Sequence, residues 1–492
     1  MSFPKRKWLS SNSFFLTTID QNGRPLTEIC NSEIKDMKGY QNIKLESPFE
    51  GDRAKIKRMA NSSSKKRINT YDKFFLGRNV YLVRGAVNSV LHDFNNNVLY
   101  WLNQDTTNFL NNILRPDYQA VEGDINALRI FLNAGIITSD KASASVCDIE
   151  TLFNRDYRPQ TCYIELTQKC NLRCKHCYNA WDAQNKKELS PDEVRTVLDE
   201  LSEYGIKRVH FIGGEPLLLK GNAIFQILDY ASPRFESIKI FTNGTMIDDS
   251  FAKKIAQYPN VSFAIGFYSF DSRAHDHFTG VKGSQKKTYE ALKTLRDNNI
   301  EFDYSGIYAE GMPTGEDEEF APGLKMDYVR LAGRGSLQLY NEDLLRKRLK
   351  TLDGLNYEWS QDNVINLFRG RCFSRLLYVS CELDVFPCAM ERRLKHGNLK
   401  DGKLADIVKK DILNFSKTDI EECRDCEFRY ICVGCPPDSL NGKLEEKPWN
   451  CTYNVYKGEW DNPDDYIKRL ISYKEAKEID APLTGSCRIG SV

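Results

Sequence analysis

The chain has 492 residues, enough for about two to four domains, and its 69 Lys+Arg against 68 Asp+Glu leave a formal net charge of +1. That balance carries no global attraction to nucleic acid or to an anionic membrane surface, and neither is expected as a partner. The opening run Met1-Ser-Phe-Pro-Lys-Arg-Lys-Trp8 lacks an apolar signal core and no apolar stretch is long enough to span a bilayer, so the 15 cysteines are not read as a secreted disulfide framework. Residues 1–69 divide in two. Phe14–Ile19 and Pro25–Ile29, joined by Asp20-Gln-Asn-Gly-Arg24, predict a hairpin, while residues 51–67 carry Arg53, Lys55, Lys57, Arg58, Lys65, Lys66 and Arg67 as a basic linker that also suits contact with an acidic peptide.

Residues 70–145 read as a small module. The strands are Asn79–Val83, Val87–Asp93 and Val98–Leu102, with the turn Asn95-Asn-Asn97 between the last two; helical stretches follow at Thr107–Leu114 and Ile125–Leu132, whereas Arg115–Gly123 is a poor helix. Short strands followed by helices make a winged-helix-like unit. It resembles the PqqD-like recognition element of peptide-modifying enzymes, which takes a precursor's leader as an added strand, backbone hydrogen bonds supplying affinity and alternate side chains selectivity. A purely structural wing is the other reading. Residues 146–160 form a linker.

The strand Cys162–Leu166 then feeds the run Thr167-Gln-Lys-Cys-Asn-Leu-Arg-Cys-Lys-His-Cys-Tyr178, in which Cys170, Cys174 and Cys177 have the spacing C-x3-C-x2-C. Electron-transfer clusters ordinarily take four thiolates, so three suit an iron-sulfur cube with one iron open to an external molecule. Taken alone the run also suits a structural zinc knuckle. Downstream, Val209–Phe211 leads to Gly213, Gly214, Glu215 and Pro216, Ile238–Thr242 leads to Asn243-Gly244, and Phe263–Asp271 carries Ser269 near its end. Strands alternating with helical stretches over residues 161–345 predict β-α units around a parallel sheet, with the motifs at strand ends. Together these segments resemble the radical S-adenosylmethionine superfamily. The resemblance implies a partial (β/α)6 barrel, a [4Fe-4S] cluster on Cys170, Cys174 and Cys177, the methionine amino group held at the Gly213–Pro216 motif, and the nucleoside near Asn243 and Ser269. The family often has an arginine for the methionine carboxylate where this chain has Thr279, which leaves Arg273 or Lys282 as substitutes. Gly311–Glu319, with Pro313, Gly315 and four consecutive acids, reads as a loop.

Beyond a bridging segment at residues 346–371, Cys372, Cys388, Cys423, Cys426, Cys432, Cys435 and Cys451 form a second pattern across residues 372–470, followed by a tail at 471–492. It resembles the SPASM domain, which carries two auxiliary [4Fe-4S] clusters, although the last pair is spaced by two residues rather than three and Leu383 replaces a usual glycine. The resemblance implies an outer cluster on Cys423, Cys426, Cys432 and Cys451 and an inner one on Cys372, Cys388 and Cys435, its remaining iron open or held by Cys381. Read alone, the paired cysteines also suit zinc. Cys30, Cys147, Cys162 and Cys487 are left as ordinary thiols. The implied protein is a cytoplasmic radical enzyme with three clusters and S-adenosylmethionine, served by an electron donor such as flavodoxin or ferredoxin. It modifies a precursor peptide bound through its leader, by oxidative intrapeptide cross-linking through thioether or carbon-carbon bonds. A sulfatase-type formylglycine-forming maturase and a non-enzymatic iron-sulfur electron carrier are the rival classes.

Overall fold

The computed structural model describes residues 68–69, 71–145, 149, 158–179, 186–352, 355, 372–432, 434–435 and 438–480. The hairpin and basic stretch of residues 1–67, together with Cys30, Cys147, Cys487 and the Cys372 side chain, lie outside the described residues.

The amino-terminal module begins with β1 (Phe75–Leu76). A three-stranded antiparallel sheet follows, made of β2 (Val80–Arg84), β3 (Ser89–Asp93) and β4 (Val98–Leu102), with Val80 opposite Asp93 and Ser89 opposite Leu102. Helices α1 (Gln104–Ile113) and α2 (Ile125–Asn133) come next, then β5 (Ile137–Thr138), which pairs with β1. The strands and helices fall close to where the sequence puts them, and residues 115–121 form no helix. Strand periodicity explains the packing, since alternate side chains take opposite faces. Val80, Leu91, Val98 and Tyr100 pack on Phe109 and Leu110 of α1 and Leu128 and Phe131 of α2. The other face, with Tyr81, Val83, Val90 and Leu99, is buried against Phe428, Tyr430, Tyr453 and Val455 near the far end of the chain. A sheet buried on both faces has few places for polar side chains: β2 and β4 are apolar at nearly every position, while β3 also buries Ser89, His92 and Asp93.

The central sheet has nine strands. Six lie in sequential parallel order: β6 (Thr161–Thr167), β7 (Arg208–Gly213), β8 (Ser237–Thr242), β9 (Val261–Gly266), β10 (Phe302–Tyr308) and β11 (Lys325–Tyr328). Helices α3 (Pro191–Tyr204), α4 (Ala223–Ala231), α5 (Asp249–Ile255), α6 (Ser272–Thr279) and α7 (Ser284–Asp297) fill the first four crossovers. The Ser190–Glu193 capping box, with Pro191 at the first helical position, starts α3, and Gly205 in the left-handed region stops it. The fifth crossover is a loop with one short turn at Ala321–Gly323 instead of an α-helix. Beyond β6 the sheet continues with β12 (Leu376–Val379), parallel to β6, and then β13 (Asp384–Phe386) and β14 (Gly397–Asn398), both antiparallel. The start of the cysteine-rich segment is therefore part of the central sheet. Leu383, where a glycine is usual, has φ of +69°, so the β12–β13 turn does demand the left-handed conformation. The two-stranded sheet β15 (Tyr453–Asn454) and β16 (Glu459–Trp460) follows. Farther on, α9 (Pro463–Asp480) packs with α8 (Glu342–Arg348) through Leu345, Ile467 and Leu470. No helix among the described residues is long and apolar enough to cross a membrane.

Candidate iron-sulfur and cofactor site

On β6, Cys162, Ile164 and Leu166 point into the core under the helices, which leaves Tyr163, Glu165 and Thr167 on the opposite, inner face. The strand delivers the chain into the cysteine loop, which is clamped from three sides. From β7, Gly214 N donates to Thr167 O at 2.7 Å and Glu215 N to Lys169 O at 2.8 Å. The approach leaves no room for side chains: a Cβ on Gly213 would stand 2.3 Å from Thr167 O, and one on Gly214 would stand 2.1 Å from Lys169 O. From the end of α6, Thr279 O and Phe278 O accept from Arg173 N and Lys175 N at 2.8 and 3.0 Å. From the segment after β11, Arg334 donates through its backbone N to Cys177 O at 2.9 Å and through Nη1 to Cys174 O at 3.3 Å. Gly333 sits so close that a Cβ would stand 2.2 Å from Tyr178 O. Sequence reasoning missed this third clamp; the Gly333-Arg-Gly335 run was its only trace.

The loop holds its three thiols within electrostatic reach of one another. Burial pushes the Cys170 thiol up to about 11, with the charges of Glu215 and Cys177 adding to it, and burial pushes Cys174 up to about 12, with Cys170 and Cys177 adding. Tyr268 is hydrogen-bonded to Cys174. Such thiols become thiolates only beside a cationic centre. Among the described residues no three His, Cys, Asp or Glu side chains converge on one point as they would around a single metal ion. Three thiols on one loop have the donor chemistry of an iron-sulfur cube, and the one imidazole of that loop, His176, is turned away to stack on Phe278.

Glu215 is 1% exposed, and burial raises its carboxyl above the usual range against the pull of its donors. Its Oε1 accepts from Thr242 Oγ1 at 2.6 Å and from Leu217 N at 3.0 Å, and its Oε2 accepts from Asn243 N at 2.8 Å. A carboxylate has about four acceptor sites, so one remains, on Oε2. Pro216 opens the short turn that supplies Leu217 N. Asn243 Nδ2 donates to Asn171 Oδ1 at 2.8 Å, which ties the end of β8 to the cysteine loop. Ser269 is fully buried; its hydroxyl donates to Pro313 O at 2.5 Å and accepts from Asp271 N at 3.0 Å, bracing the Gly311–Glu319 loop onto the end of β9. Asp317 of that loop accepts from Tyr289 Oη at 2.8 Å and from Phe320 N at 2.8 Å, so this acid is used within the fold. The Thr279 hydroxyl is likewise internal, bonded to His275 O and Ser284 Oγ, while Arg273 and Lys282 are exposed.

Cys423, Cys426, Cys432 and Cys451 gather beside the amino-terminal sheet, with Cys432 in electrostatic reach of the other three. Lys350 Nζ lies 3.4 Å from Cys432 Sγ, and the positive charges of Lys350 and Lys417 pull the Cys432 thiol below its ordinary value although burial opposes them. Glu427, beside Cys426, accepts from Trp101 Nε1 at 3.2 Å and from the Tyr453 hydroxyl, a direct link to the amino-terminal sheet. Cys435 and Cys388 are partly exposed; the charges of Cys177 and Cys388 both act on Tyr178, which places Cys388 on the side of the first cysteine loop. Cys381 is elsewhere. It is fully buried in the core around the central sheet, its N donates to Glu165 Oε2 at 3.0 Å, and its thiol donates to Glu165 O at 3.1 Å. Burial pushes that thiol far above its ordinary value, and Glu165 and Glu382 add to the effect. Sequence reasoning also missed Arg392, whose guanidinium joins Asn179 Oδ1 to the Tyr378 hydroxyl between the Cys177 and Cys388 loops.

Residues 164–321 match the family model described as Radical SAM superfamily. The matched stretch runs from β6 through β10, within the α/β unit around the mainly parallel sheet. Among curated proteins, the chain is 31% identical over 202 residues to the Fe-coproporphyrin III synthase of Methanosarcina barkeri, covering 39% of this chain and 49% of that one. In Bacillus subtilis it is similar to the sporulation killing factor maturation protein SkfB, at 31% identity over 29% of this chain and 34% of the relative. It is also similar to the antilisterial bacteriocin subtilosin biosynthesis protein AlbA, at 32% identity over 28% and 30%. The chain thus spans half or less of the length of these relatives. Among solved structures it is similar to Streptococcus suis SuiB bound to the precursor peptide SuiA, with a TM-score of 0.46 and 15% identity over 76% of this chain and 98% of that one.

Proposed function

We propose that this protein is a radical S-adenosylmethionine maturase that modifies a ribosomally made precursor peptide by oxidative intrapeptide cross-linking, through a thioether or a carbon-carbon bond. The observation that carries the reading is the clamped loop of Cys170, Cys174 and Cys177 beside Glu215, whose Oε2 keeps one acceptor site for an ammonium. The names of SkfB and AlbA, a maturation protein and a bacteriocin biosynthesis protein, support the choice of a peptide as substrate. A [4Fe-4S] cluster held there would supply the single electron for reductive cleavage of S-adenosylmethionine, the chemistry that starts hydrogen abstraction from a substrate.

The chain's own residues bind and orient. Cys170, Cys174 and Cys177 would hold the cluster, and Glu215 the methionine ammonium. Gly213 and Gly214 let the β7 backbone lie against the loop, Pro216 fixes the turn behind it, and the Asn243–Asn171 pair sets the rim where the nucleoside would lie. Ser269 acts one step back, fixing the loop that faces that rim. In this reading the cysteine-rich segment is SPASM-like, with auxiliary clusters on Cys423, Cys426, Cys432 and Cys451 and on Cys372, Cys388 and Cys435. Cys381 is assigned to the interior core beside Glu165 and not to a cluster. Residues 70–145 take the leader, a flavodoxin or ferredoxin delivers electrons, and the protein works in the cytoplasm.

The test is anaerobic reconstitution followed by iron and sulfide counting and a 5′-deoxyadenosine assay. Replacing Cys170, Cys174 and Cys177 together by Ala is expected to abolish 5′-deoxyadenosine formation while the remaining iron stays. A wild-type total of about four irons, or no 5′-deoxyadenosine under strong reductant, overturns the reading. Tandem mass spectrometry of a genomically neighbouring peptide after reaction separates a cross-link, with loss of two hydrogens, from formylglycine.

A further inference from the structure

The Lys417 ammonium is buried and has no hydrogen-bond partner among the described residues. It stands in the field of Cys432, Cys423, Cys451 and Cys435, and Lys350 Nζ reaches the same place, 3.4 Å from Cys432 Sγ. Both ammonium groups crowd Gly434: a Cβ there would lie 2.2 Å from Lys417 Nζ and 2.9 Å from Lys350 Nζ. Lys447 is near the same thiols but already has a counter-charge, with its Nζ 2.6 Å from Glu422 Oε2. Burying one unpaired ammonium costs several kcal/mol, and a second of like sign beside it raises the cost. Neutral thiols do not offset that. An anion enclosed by the four sulfurs does.

The backbone holds both lysines in place. Lys350 N donates to Asn450 O at 2.7 Å, Lys350 O accepts from Thr452 Oγ1 at 2.8 Å, and the residue bridges to Cys451. Lys417 opens a short helical turn capped reciprocally by Ser416 and Asp419. Neither lysine is a loosely placed surface side chain.

We infer that Lys350 and Lys417 are positioning residues for the group held by Cys423, Cys426, Cys432 and Cys451, a built-in positive charge that raises its reduction potential. The inference rests on the reading that these four cysteines hold an iron-sulfur cube. A four-thiolate cube is anionic, and each added electron makes it more so, so nearby cations and N–H···S contacts favour the reduced form.

The test is an electron-paramagnetic-resonance redox titration of the reconstituted full chain. Lys417→Met and Lys350→Met are read against wild type in a background in which Cys170, Cys174 and Cys177 are Ala, and Cys423→Ala with Cys432→Ala identifies the couple of the outer site. Each Met variant is expected to lower that midpoint, and the double variant to shift the reduction equilibrium at least tenfold, about 59 mV for a one-electron couple. Lys417→Arg, which keeps the charge, is expected to restore most of the shift. An unmoved midpoint in an iron-loaded double variant overturns the inference alone. If Cys423→Ala with Cys432→Ala loses no iron, or the site carries redox-silent zinc, the ligand reading fails and takes the inference with it. Should Lys417→Met load no iron, Lys350→Met decides by the same criterion.

Discussion

Gly214→Ala tests the clamp between β7 and the cysteine loop. The new Cβ would stand 2.1 Å from Lys169 O and 2.5 Å from Lys169 C, and these contacts must open to the 3.4 Å of ordinary packing. Neither neighbour is the flexible end of a side chain, so the loop backbone itself has to move. The movement stretches two hydrogen bonds, Gly214 N to Thr167 O and Glu215 N to Lys169 O. Overpacking of this kind costs ~1–3 kcal/mol, and each lost backbone bond adds ~0.5–1.5 kcal/mol. A total of about 2–6 kcal/mol follows, a large part of the ~5–15 kcal/mol that holds a typical domain together. The assay is urea unfolding of the reconstituted protein, paired with iron counting. Gly214→Ala is expected to lower the unfolding midpoint and to lose the share of iron that Cys170, Cys174 and Cys177 account for, leaving the rest. Gly205→Ala is the control: its φ of +94° strains the helix end, but nothing lies within 4 Å of the new Cβ and the site is remote from the cysteines, so iron is retained. Wild-type stability together with full iron loading in Gly214→Ala would refute the argument that backbone contact shapes the site.

Two further outcomes follow from burial. Cys381→Ala is expected to keep the full iron content and to lose about 1 kcal/mol through its thiol contact with Glu165 O; a loss of iron matching one cluster restores Cys381 as a ligand. The fold is also expected to weaken in mild acid, because burial holds His92 at about 3 and His275 and His396 at about 4, all below the ordinary 6.5. An unfolded chain takes up protons at these imidazoles below 6.5 while the folded one does not until about 4, so stability is lost as pH falls through that window. The loss is on the order of 1 kcal/mol per histidine per pH unit, and equal urea midpoints at pH 7 and at about pH 5.5 would contradict it.

The local part of this fold was legible. Alternation marked β2, β3 and β4, the Asn95–Asn97 turn joined two of them, and each cofactor motif sits where a parallel strand ends. Long-range partners leave no such trace. Nothing in Leu376–Val379 says that it pairs with β6, some two hundred residues earlier, or that the central sheet continues through β12 to β14. The apolar residues at nearly every position of β2 and β4 do signal two buried faces, but not what covers the second. That second contact changes one expectation. Removing residues 1–145 would uncover Phe428, Tyr430 and Tyr453 beside the outer cysteines, so point changes on the sheet test leader binding more cleanly than deletion does. The Gly333-Arg-Gly335 clamp and the buried lysines were missed for a related reason, since glycines and lysines are common in loops and only their distances from Tyr178 and Cys432 single them out.

The seam between the first and last parts of the chain also sets an order of events on the ribosome. Asn88 Nδ2 bonds to Gly458 O across 370 residues, and Val83 and Val90 share a core with Val455. At ~5–20 residues per second, β2–β4 emerge on the order of tens of seconds before the surface that covers their second face exists. The sheet can pack on α1 and α2 at once, but Tyr81, Val83, Val90 and Leu99 stay in water until the cysteine-rich end is made. Nascent chains of this protein therefore carry an apolar sheet face through most of synthesis, a ready ligand for a ribosome-associated chaperone and a point of aggregation when expression outruns it.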